Sequence, residues 1–439
     1  MSVSPGKEVQ LRRELGPWDA LAVMVGITIG AAVFAMPGRV AGFFPSFAVI
    51  GTAWVAAALF AITGQLIYAE LGSRLPLTGG EYVYLHRAFG PLAAFLFGWS
   101  QLLVVRTNPV AALSLVAAEF ASNIIPLSEG LRLAMATAII LTLGTIHYFG
   151  LRAGKRAQAV FTILKVGGMV VFLLAALPFL PEAASNLASS HVPPQKHGLA
   201  GNTAIAMLLV IFAYVGWDRV GYLAGEMRNP ERDLPRALIG GGALCAFLYL
   251  SMNAVYHSAL PITAISGSRV AAAEAARSLW GPAGAALLAL LVVVSTTGAS
   301  NANIMASSRV YYSMARDGLF FGALTRVHPR WGSPWVAILL HCGWALVLLF
   351  ATRTVETLVG SFVFAALIFW GACTLAYFRF HRQGPAPFSC PGHPWLPGLY
   401  LAAVVLLVGA TCWFNPKSAW ANLALMATGL PFYLLWRKQ

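Results

Sequence analysis

The chain has 439 residues, of which 59% are hydrophobic and only 10% are charged. Ordinary soluble domains carry about 25% charged residues, so composition excludes a soluble protein of this length. The net charge of +14 would suit a nucleic-acid partner. The basic residues, however, are concentrated in every second loop between the apolar segments, as in membrane proteins. We therefore expect no nucleic-acid partner.

Apolar runs of about 20 residues, the length that crosses a bilayer as a helix, recur along the whole chain. Twelve are predicted, at 17–40, 45–70, 92–121, 130–149, 159–180, 200–224, 237–259, 283–308, 335–351, 356–378, 396–413 and 418–436. Strands of a membrane barrel would instead alternate over about 10 residues. The predicted fold class is an all-α integral membrane protein without a cleavable signal peptide.

Lysine and arginine are concentrated on one side of the predicted membrane. Nineteen of the 29 lie in the N-terminal segment 1–16, the C-terminus and alternate loops, whereas six lie in the opposite loops. The positive-inside rule then predicts a multi-pass protein of the cell membrane with both termini in the cytoplasm.

Span 1 contains GITIGAAVFAMPG (26–38) and span 6 contains FAYVGWDRVGY (212–222). Gly26 and Gly30 lie near the middle of span 1. In span 6, the charged residues Asp218 and Arg219 follow closely after Gly216. Glycines in span 1 could also serve close helix packing. Charges beside a mid-span glycine are harder to place on a lipid-facing helix, so we predict that both helices are broken.

Interruptions five spans apart are typical of inverted repeats with a binding site between them. The expected domains are a first repeat at 17–180 (spans 1–5), a second at 200–380 (spans 6–10), and spans 11–12 at 395–436. A broken helix leaves about four N–H and four C=O groups without partners at each new end. A zwitterion fits such ends, because its carboxylate accepts from N–H groups and its ammonium donates to carbonyls.

Catalytic and metal-binding motifs do not stand out in the sequence. The five cysteines are at 245, 342, 373, 390 and 412, and none forms a CxxC pair. We read all five as reduced and expect no enzyme activity, no cofactor and no metal.

Several segments together resemble the amino acid–polyamine–organocation superfamily, and within it the L-type amino acid transporter branch. They are GITIGAAVF, YAELGSRLPLTGGEYVYLHRAFG (68–90), VVRTNPVAALSLVAAEF (104–120), FAYVGWDRVGYLAGEMRNPERDLPRAL (212–238) and SSRVYYSMARDG (307–318). The resemblance covers residues 16 to about 380. It implies a five-plus-five inverted repeat of the leucine-transporter type and sodium-independent amino acid transport.

The resemblance also implies where the substrate lies. Its backbone would meet the two breaks, at Thr28, Ile29, Gly30, Ala31, Ala32, Phe212, Ala213, Tyr214 and Gly216. Phe212 would be an aromatic gate. Tyr214 and Trp217 would shape the side-chain end, and Asp218 would be a further candidate for that pocket unless it pairs with Arg106 or Arg219.

Two departures from the family pattern narrow the predicted cavity. Gly30-Ala31-Ala32 stands where the family has Gly-Ser-Gly, and Val215 replaces a glycine. We therefore expect small to medium neutral L-amino acids as substrates. Exchange and proton symport both remain open, and the alternative function is a membrane amino acid sensor that binds without transport.

Lys165, in the first third of span 5, has two interpretations. If the span starts at 159, the ammonium is roughly 9 Å from the cytoplasmic end and could snorkel there. Alternatively it faces the span-1 break and Ser295 to Ser300, where relatives of the fold hold Na⁺. The branch often has a lysine at this position, so Lys165 would act as a tethered cation.

Partners are expected to be few besides the amino acid and the lipid bilayer. Animal relatives bind a heavy chain through a cysteine between spans 3 and 4, and the loop SNIIPLSEG (122–130) has none. We expect a monomer without a disulfide-linked heavy chain. The charged loop EMRNPERDLPRA, which follows span 6, is interpreted as an electrostatic latch.

Overall fold

A computed structural model of the chain describes residues 11–122, 124–179, 184–194, 198–268, 270–352 and 362–436. Within these residues the fold is all-α, with only two isolated β-bridges, Leu15–Met227 and Ser46–Ser190. Twelve helices are long and apolar enough to cross a membrane. The predicted fold class is therefore confirmed, as expected for a backbone that must satisfy its own hydrogen bonds in lipid.

The twelve spans are Pro17–Ala41, Phe47–Arg74, Pro91–Ala121, Glu129–Tyr148, Leu151–Phe179, Gly198–Glu226, Pro230–Ala259, Ala271–Arg316, Trp335–Thr352, Val363–His381, Trp395–Phe414 and Ala419–Trp436. Short helices lie between them at Glu81–Phe89, Ala184–Leu187, Ile262–Ile265 and Gly322–Thr325.

Several helices are longer than the apolar runs that predicted them. Span 5 begins at Leu151 and not at 159, and span 7 begins at Pro230 and not at 237. Span 8 continues to Arg316, after a turn at Gly281 that separates off residues 271–280. Hydropathy marks only the part of a helix that lies in lipid, and polar turns extend beyond it. The predicted start of span 10, at 356, lies outside the described residues.

Both predicted breaks are present. Span 1 consists of helix 1a, Pro17–Thr28, and helix 1b, Ala32–Ala41. Span 6 consists of helix 6a, Gly198–Tyr214, and a 3₁₀ helix 6b, Trp217–Glu226. The two breaks touch, since a Cβ built on Gly216 would lie 2.7 Å from Ile27 Cγ2.

The ends of the spans lie in two layers, because consecutive spans cross the membrane in opposite directions. In one layer Leu15 N–H donates to Glu226 C=O (2.9 Å) and Ser313 Oγ donates to Thr78 C=O (2.7 Å). In the other, Gly267 N–H donates to Gly38 C=O (2.9 Å). We name these layers the N-terminal side and the far side.

Helix contacts between the two halves of the chain follow a repeated pattern. Helix 1a packs against span 7, and helix 6a packs against span 2. Span 3 contacts spans 4 and 9, and span 8 contacts spans 9 and 4. Each contact thus has a counterpart five spans along the chain.

Candidate functional site

A cavity of about 890 Å³ lies at the two breaks. It continues along helices 1b and 6a to the far side, between spans 3, 10 and 11. Of the residues expected to meet the substrate, it is lined by Thr28, Gly30, Ala31, Ala32, Phe212 and Ala213. Its other lining side chains are mostly apolar.

The other predicted substrate-binding positions, Ile29, Tyr214 and Gly216, belong to the two breaks but do not line the cavity. The φ of +125° at Gly216 is one that side chains other than glycine rarely adopt. Tyr214 is buried against the rings of Trp54 and Tyr249, with centroid separations of 5.9 and 5.0 Å.

Trp217 and Asp218 were candidates for the side-chain pocket, and pairing with Arg106 was the alternative for Asp218. Neither residue lines the cavity. Trp217 is stacked on Trp370, with ring centroids 5.2 Å apart, and Asp218 accepts a hydrogen bond from Arg106. The 3₁₀ turn after the break directs both side chains into the protein core.

Lys165 lies between span 1 and span 8 and is completely buried. Its ammonium donates to the carbonyls of Gly26 (3.0 Å), Ile29 (2.8 Å) and Ser295 (2.9 Å). Because the ammonium is buried and bonded to these three carbonyls, it does not reach the membrane surface, which excludes the snorkelling interpretation. The ammonium thus occupies a three-carbonyl site at the break; its role stays a prediction.

Other donors satisfy the carbonyls that the span-1 break frees. Tyr249 OH donates to Thr28 C=O (2.8 Å), and Ser295 Oγ lies 3.1 Å from the carbonyl oxygens of both Ile29 and Gly30. In the described part of the chain, Ile27 C=O receives no hydrogen bond from a protein donor. A bound ammonium group would therefore find an acceptor at this helix end.

The start of helix 1b presents the opposite polarity. Among the described residues, the N–H groups of Ala31, Ala32 and Val33 donate to no protein acceptor. They lie at the positive end of a ten-residue helix whose first turn faces the cavity. Such an end binds a carboxylate without any basic side chain.

The cavity is closed on the N-terminal side by a buried polar cluster. Arg106 of span 3 donates to Asp218, to Glu81 (3.2 Å) and to Tyr222 OH (2.7 Å). Tyr68 OH also donates to Glu81 (2.7 Å). Burial and the Asp218 carboxylate raise the pKa of Glu81, which lies between spans 2 and 3, to about 7, although Arg106 opposes them.

A second contact closes the same side. The Arg309 guanidinium donates from Nε and Nη2 to the two Glu226 oxygens, at 2.6 and 3.1 Å. Both side chains are buried. Glu14 and Leu15 then cover them by donating backbone N–H groups to Glu226 C=O. The described residues that line the cavity thus continue from the breaks toward the far side, and none of them belongs to these two contacts.

Sequence reasoning missed much of the cavity wall. Leu113 and Val116 of span 3, Phe364 of span 10 and Thr411 of span 11 all line it. Apolar side chains on a membrane helix look the same whether they face lipid or a cavity. Arg219 also lines the cavity, and its charge was a signal visible in the sequence.

The described residues were compared with the requirements of a metal site and of a disulfide bond. No group of three or more His, Cys, Asp or Glu side chains could hold a metal ion there. All five cysteines are free thiols, and four of them are buried.

Comparison with known proteins agrees with this architecture. The serine/threonine exchanger SteT of Bacillus subtilis is 28% identical over 98% of both chains. The b(0,+)-type amino acid transporter 1 of Mus musculus is 30% identical over 98% of this chain and 89% of its own. The human large neutral amino acids transporter small subunit 2 is 28% identical over 98% of this chain and 82% of its own.

The sequence profile described as amino acid permease matches residues 15–433, which is nearly the whole chain. The resemblance inferred from the motifs is therefore confirmed. The protein belongs to the amino acid permease family, whose members are membrane transporters and not enzymes.

Proposed function

We propose that the protein is a sodium-independent exchanger of small to medium neutral L-amino acids, working by alternating access. One observation carries the proposal: at the span-1 break, beside one cavity, the N–H groups at the start of helix 1b and a carbonyl at the end of helix 1a have no hydrogen-bond partner among the described residues. The relatives named above are a serine/threonine exchanger and two amino acid transporters, which supports amino acid exchange.

The substrate backbone would bridge the break in span 1. Its carboxylate would accept from Ala31, Ala32 and Val33, and its ammonium would donate to Ile27 C=O. Phe212, which lines the cavity, would close over the bound molecule as a gate. The methyl groups of Ala31 and Ala32 and the side chain of Val215 would limit its size.

Sodium independence follows from Lys165. The ammonium carries the same charge as Na⁺ and donates to the carbonyls that a bound ion would otherwise have to satisfy. Tethered to span 5, it holds that charge at the break without an ion gradient. Exchange is the simplest transport cycle for such a protein, since nothing besides the substrate need bind or leave.

The proposed architecture is a five-plus-five inverted repeat, 17–180 and 200–380, with spans 11–12 outside it. Helix contacts that recur five spans along the chain support it. The positive-inside bias supports assigning the N-terminal side to the cytoplasm, so that the cavity would open outward at the cell membrane.

The proposed assembly is a monomer without a disulfide-linked heavy chain. The human relative is named a small subunit, which implies a partner there. In this chain the segment between spans 3 and 4 contains no cysteine for such a bond. Light scattering of the purified protein tests this proposal, since a mass of twice the chain would contradict it.

Exchange is tested with labelled alanine and proteoliposomes. Vesicles preloaded with unlabelled alanine should accumulate label faster than empty vesicles, because exchange requires a counter-substrate. An amino acid sensor, the alternative function, would bind label without accumulating it. Unlabelled serine or leucine should compete better than arginine or lysine, and the reverse order would contradict the substrate class.

A further inference from the structure

A basic surface lies on the N-terminal side, outside the cavity. Three segments form it: the chain at the start of span 1, the start of span 5, and the turn before span 9 (11–19, 149–156 and 326–332). Together they contain seven lysine and arginine residues but only two carboxylates, Glu14 and Asp19. We name these three segments the basic surface.

Contacts between the segments hold the basic surface together. Arg152 Nε donates to Glu14 Oε2 at 3.0 Å, and Lys155 donates to Asp19 Oδ2 at 2.9 Å. The turn before span 9 lies directly against Gly150, the residue before span 5. Both carboxylates of the surface are therefore already paired with a basic side chain.

The other arginines of the surface are exposed and pair with no carboxylate among the described residues. They are Arg12, Arg13, Arg156, Arg326 and Arg330. A guanidinium can donate two parallel hydrogen bonds to one phosphate group, which makes arginine a preferred ligand of phosphates. The basic surface thus has an excess of positive charge in the side-chain type that suits a phosphate.

Span 5 extends the basic surface toward the membrane interior. Arg152 and Arg156 are both exposed and lie one helical turn apart, so they share a face of the helix. The same face continues with Val160, Ile163 and Leu164, which are 55%, 70% and 52% exposed. Exposed aliphatic side chains within a membrane span face lipid tails. The two arginines therefore lie at the level of the lipid headgroups.

Aromatic rings mark the same level. The ring centroids of Phe149 and Trp331 are 5.5 Å apart, and the Arg330 guanidinium lies 4.5 Å from the Trp331 centroid. Tryptophan is enriched where the headgroups of a membrane meet its hydrocarbon core. Charge and aromatic rings thus independently place the basic surface beside lipid phosphates.

We propose that the basic surface binds the phosphate headgroup of an anionic membrane phospholipid, with Arg152 and Arg156 as its main contacts. Arg152 uses only Nε to bond Glu14 and its side chain stays 72% exposed, so its other donors can reach a phosphate. A lipid fits better than a soluble acidic peptide, because the face that carries both arginines continues into the lipid-facing part of span 5. The proposal requires only that the chain spans a membrane, whichever solute it transports.

Native mass spectrometry of the purified protein in a neutral detergent tests the proposal, with phosphatidylglycerol and phosphatidylcholine of equal tail length as probes. Phosphatidylglycerol should bind with a Kd at least about tenfold lower, since each basic residue near the lipid phosphates contributes about fivefold. Equal affinity for the two lipids would overturn the proposal. Displacement of phosphatidylglycerol by millimolar inorganic phosphate or by an oligoglutamate peptide would indicate a site for soluble anions and would also overturn it.

Variants assign the preference to the basic surface. Arg152→Gln combined with Arg156→Gln should raise the Kd for phosphatidylglycerol at least about tenfold and leave phosphatidylcholine unchanged. Arg87→Gln combined with Arg382→Gln removes the same charge from exposed positions elsewhere on the N-terminal side and is the matched control. Arg156→Gln alone breaks no ion pair and should raise the Kd about fivefold, which keeps the test available if the double variant does not fold. Equal losses in the site and control variants would show a general effect of charge and overturn the assignment.

Discussion

Lys165 is the residue on which the break in span 1 depends most. Its three carbonyl partners, on Gly26, Ile29 and Ser295, are buried with it. Lys165→Ala should reduce exchange by more than about tenfold, since each carbonyl left unsatisfied costs about 1–3 kcal/mol locally. Folding should suffer less, because helix 1a also packs against spans 7 and 8.

Exchange rate and elution profile in detergent should be measured together for this variant. Lys155→Ala removes a partly exposed lysine from the same helix and is the matched control. Exchange unchanged in Lys165→Ala would show that the ammonium has no role in transport.

The glycines at the two breaks are expected to differ in their tolerance of a side chain. At Gly216 φ is +125° and a Cβ would lie 2.7 Å from Ile27, whereas a Cβ on Gly30 would lie 3.6 Å from Leu113, an ordinary contact. Gly216→Ala should therefore destabilise the protein by about 1–3 kcal/mol. Gly30→Ala should fold normally, and Gly30→Val should lose binding as its methyl groups fill the cavity.

Thermal unfolding and alanine binding distinguish these cases. A Gly30→Val protein that binds alanine normally would place the site elsewhere. A Gly216→Ala protein as stable as the unmodified one would contradict the strain assigned to that turn.

At the residue scale, the sequence predicted those features that an unusual residue type marks. A lone charge in an apolar run made Lys165 visible, and glycines made the breaks visible. Asp218 pairs with Arg106, as the alternative in the sequence analysis predicted. Trp217 does not line the cavity, because the 3₁₀ geometry after Gly216 rotates the side chains by an amount that the sequence does not display. Leu113 and Phe364 were missed because cavity-facing and lipid-facing residues have the same composition.

At the scale of elements, the helix between spans 2 and 3 brings Glu81 into contact with spans 2, 3 and 6. Burial raises the pKa of Glu81 from 4.5 to about 7. Between these two values the folded protein holds a proton that the unfolded chain has released, so stability falls as pH rises from about 4.5 to about 7 and then levels off.

Glu81→Gln should remove this pH dependence. Melting temperatures at pH 5, 6, 7 and 8 should decline for the unmodified protein and decline less for the variant. Glu231→Gln, in an exposed turn, provides the matched control. Equal slopes for all three proteins would show that Glu81 does not titrate in this range.

Glu226 and Arg309 form the other element-scale contact, between the end of span 6 and span 8. Removing one partner of a buried pair leaves an uncompensated charge, so Glu226→Gln should favour opening on the N-terminal side. A cysteine introduced at Ser313, which bonds to Thr78 in the closed state, should then react faster with a thiol reagent. An unchanged labelling rate would contradict a role of this pair in keeping the N-terminal side closed.

At the scale of the whole molecule, hydropathy was sufficient to predict twelve spans, because a membrane leaves the backbone few alternatives to helices. It could not locate the ends of the helices. Arg152 and Lys155 lie in the first turns of span 5, where charged side chains leave the lipid but the helix continues. The side on which the cavity opens was also unpredictable, since it depends on contacts such as Leu15 with Glu226.

The most direct test of the account is sodium replacement during alanine exchange in proteoliposomes. With Na⁺ replaced by choline on both sides, the unmodified protein should exchange labelled alanine at an unchanged rate, because Lys165 already supplies the positive charge at the break in span 1. An exchange rate that collapses in choline and recovers when Na⁺ is restored would contradict the account.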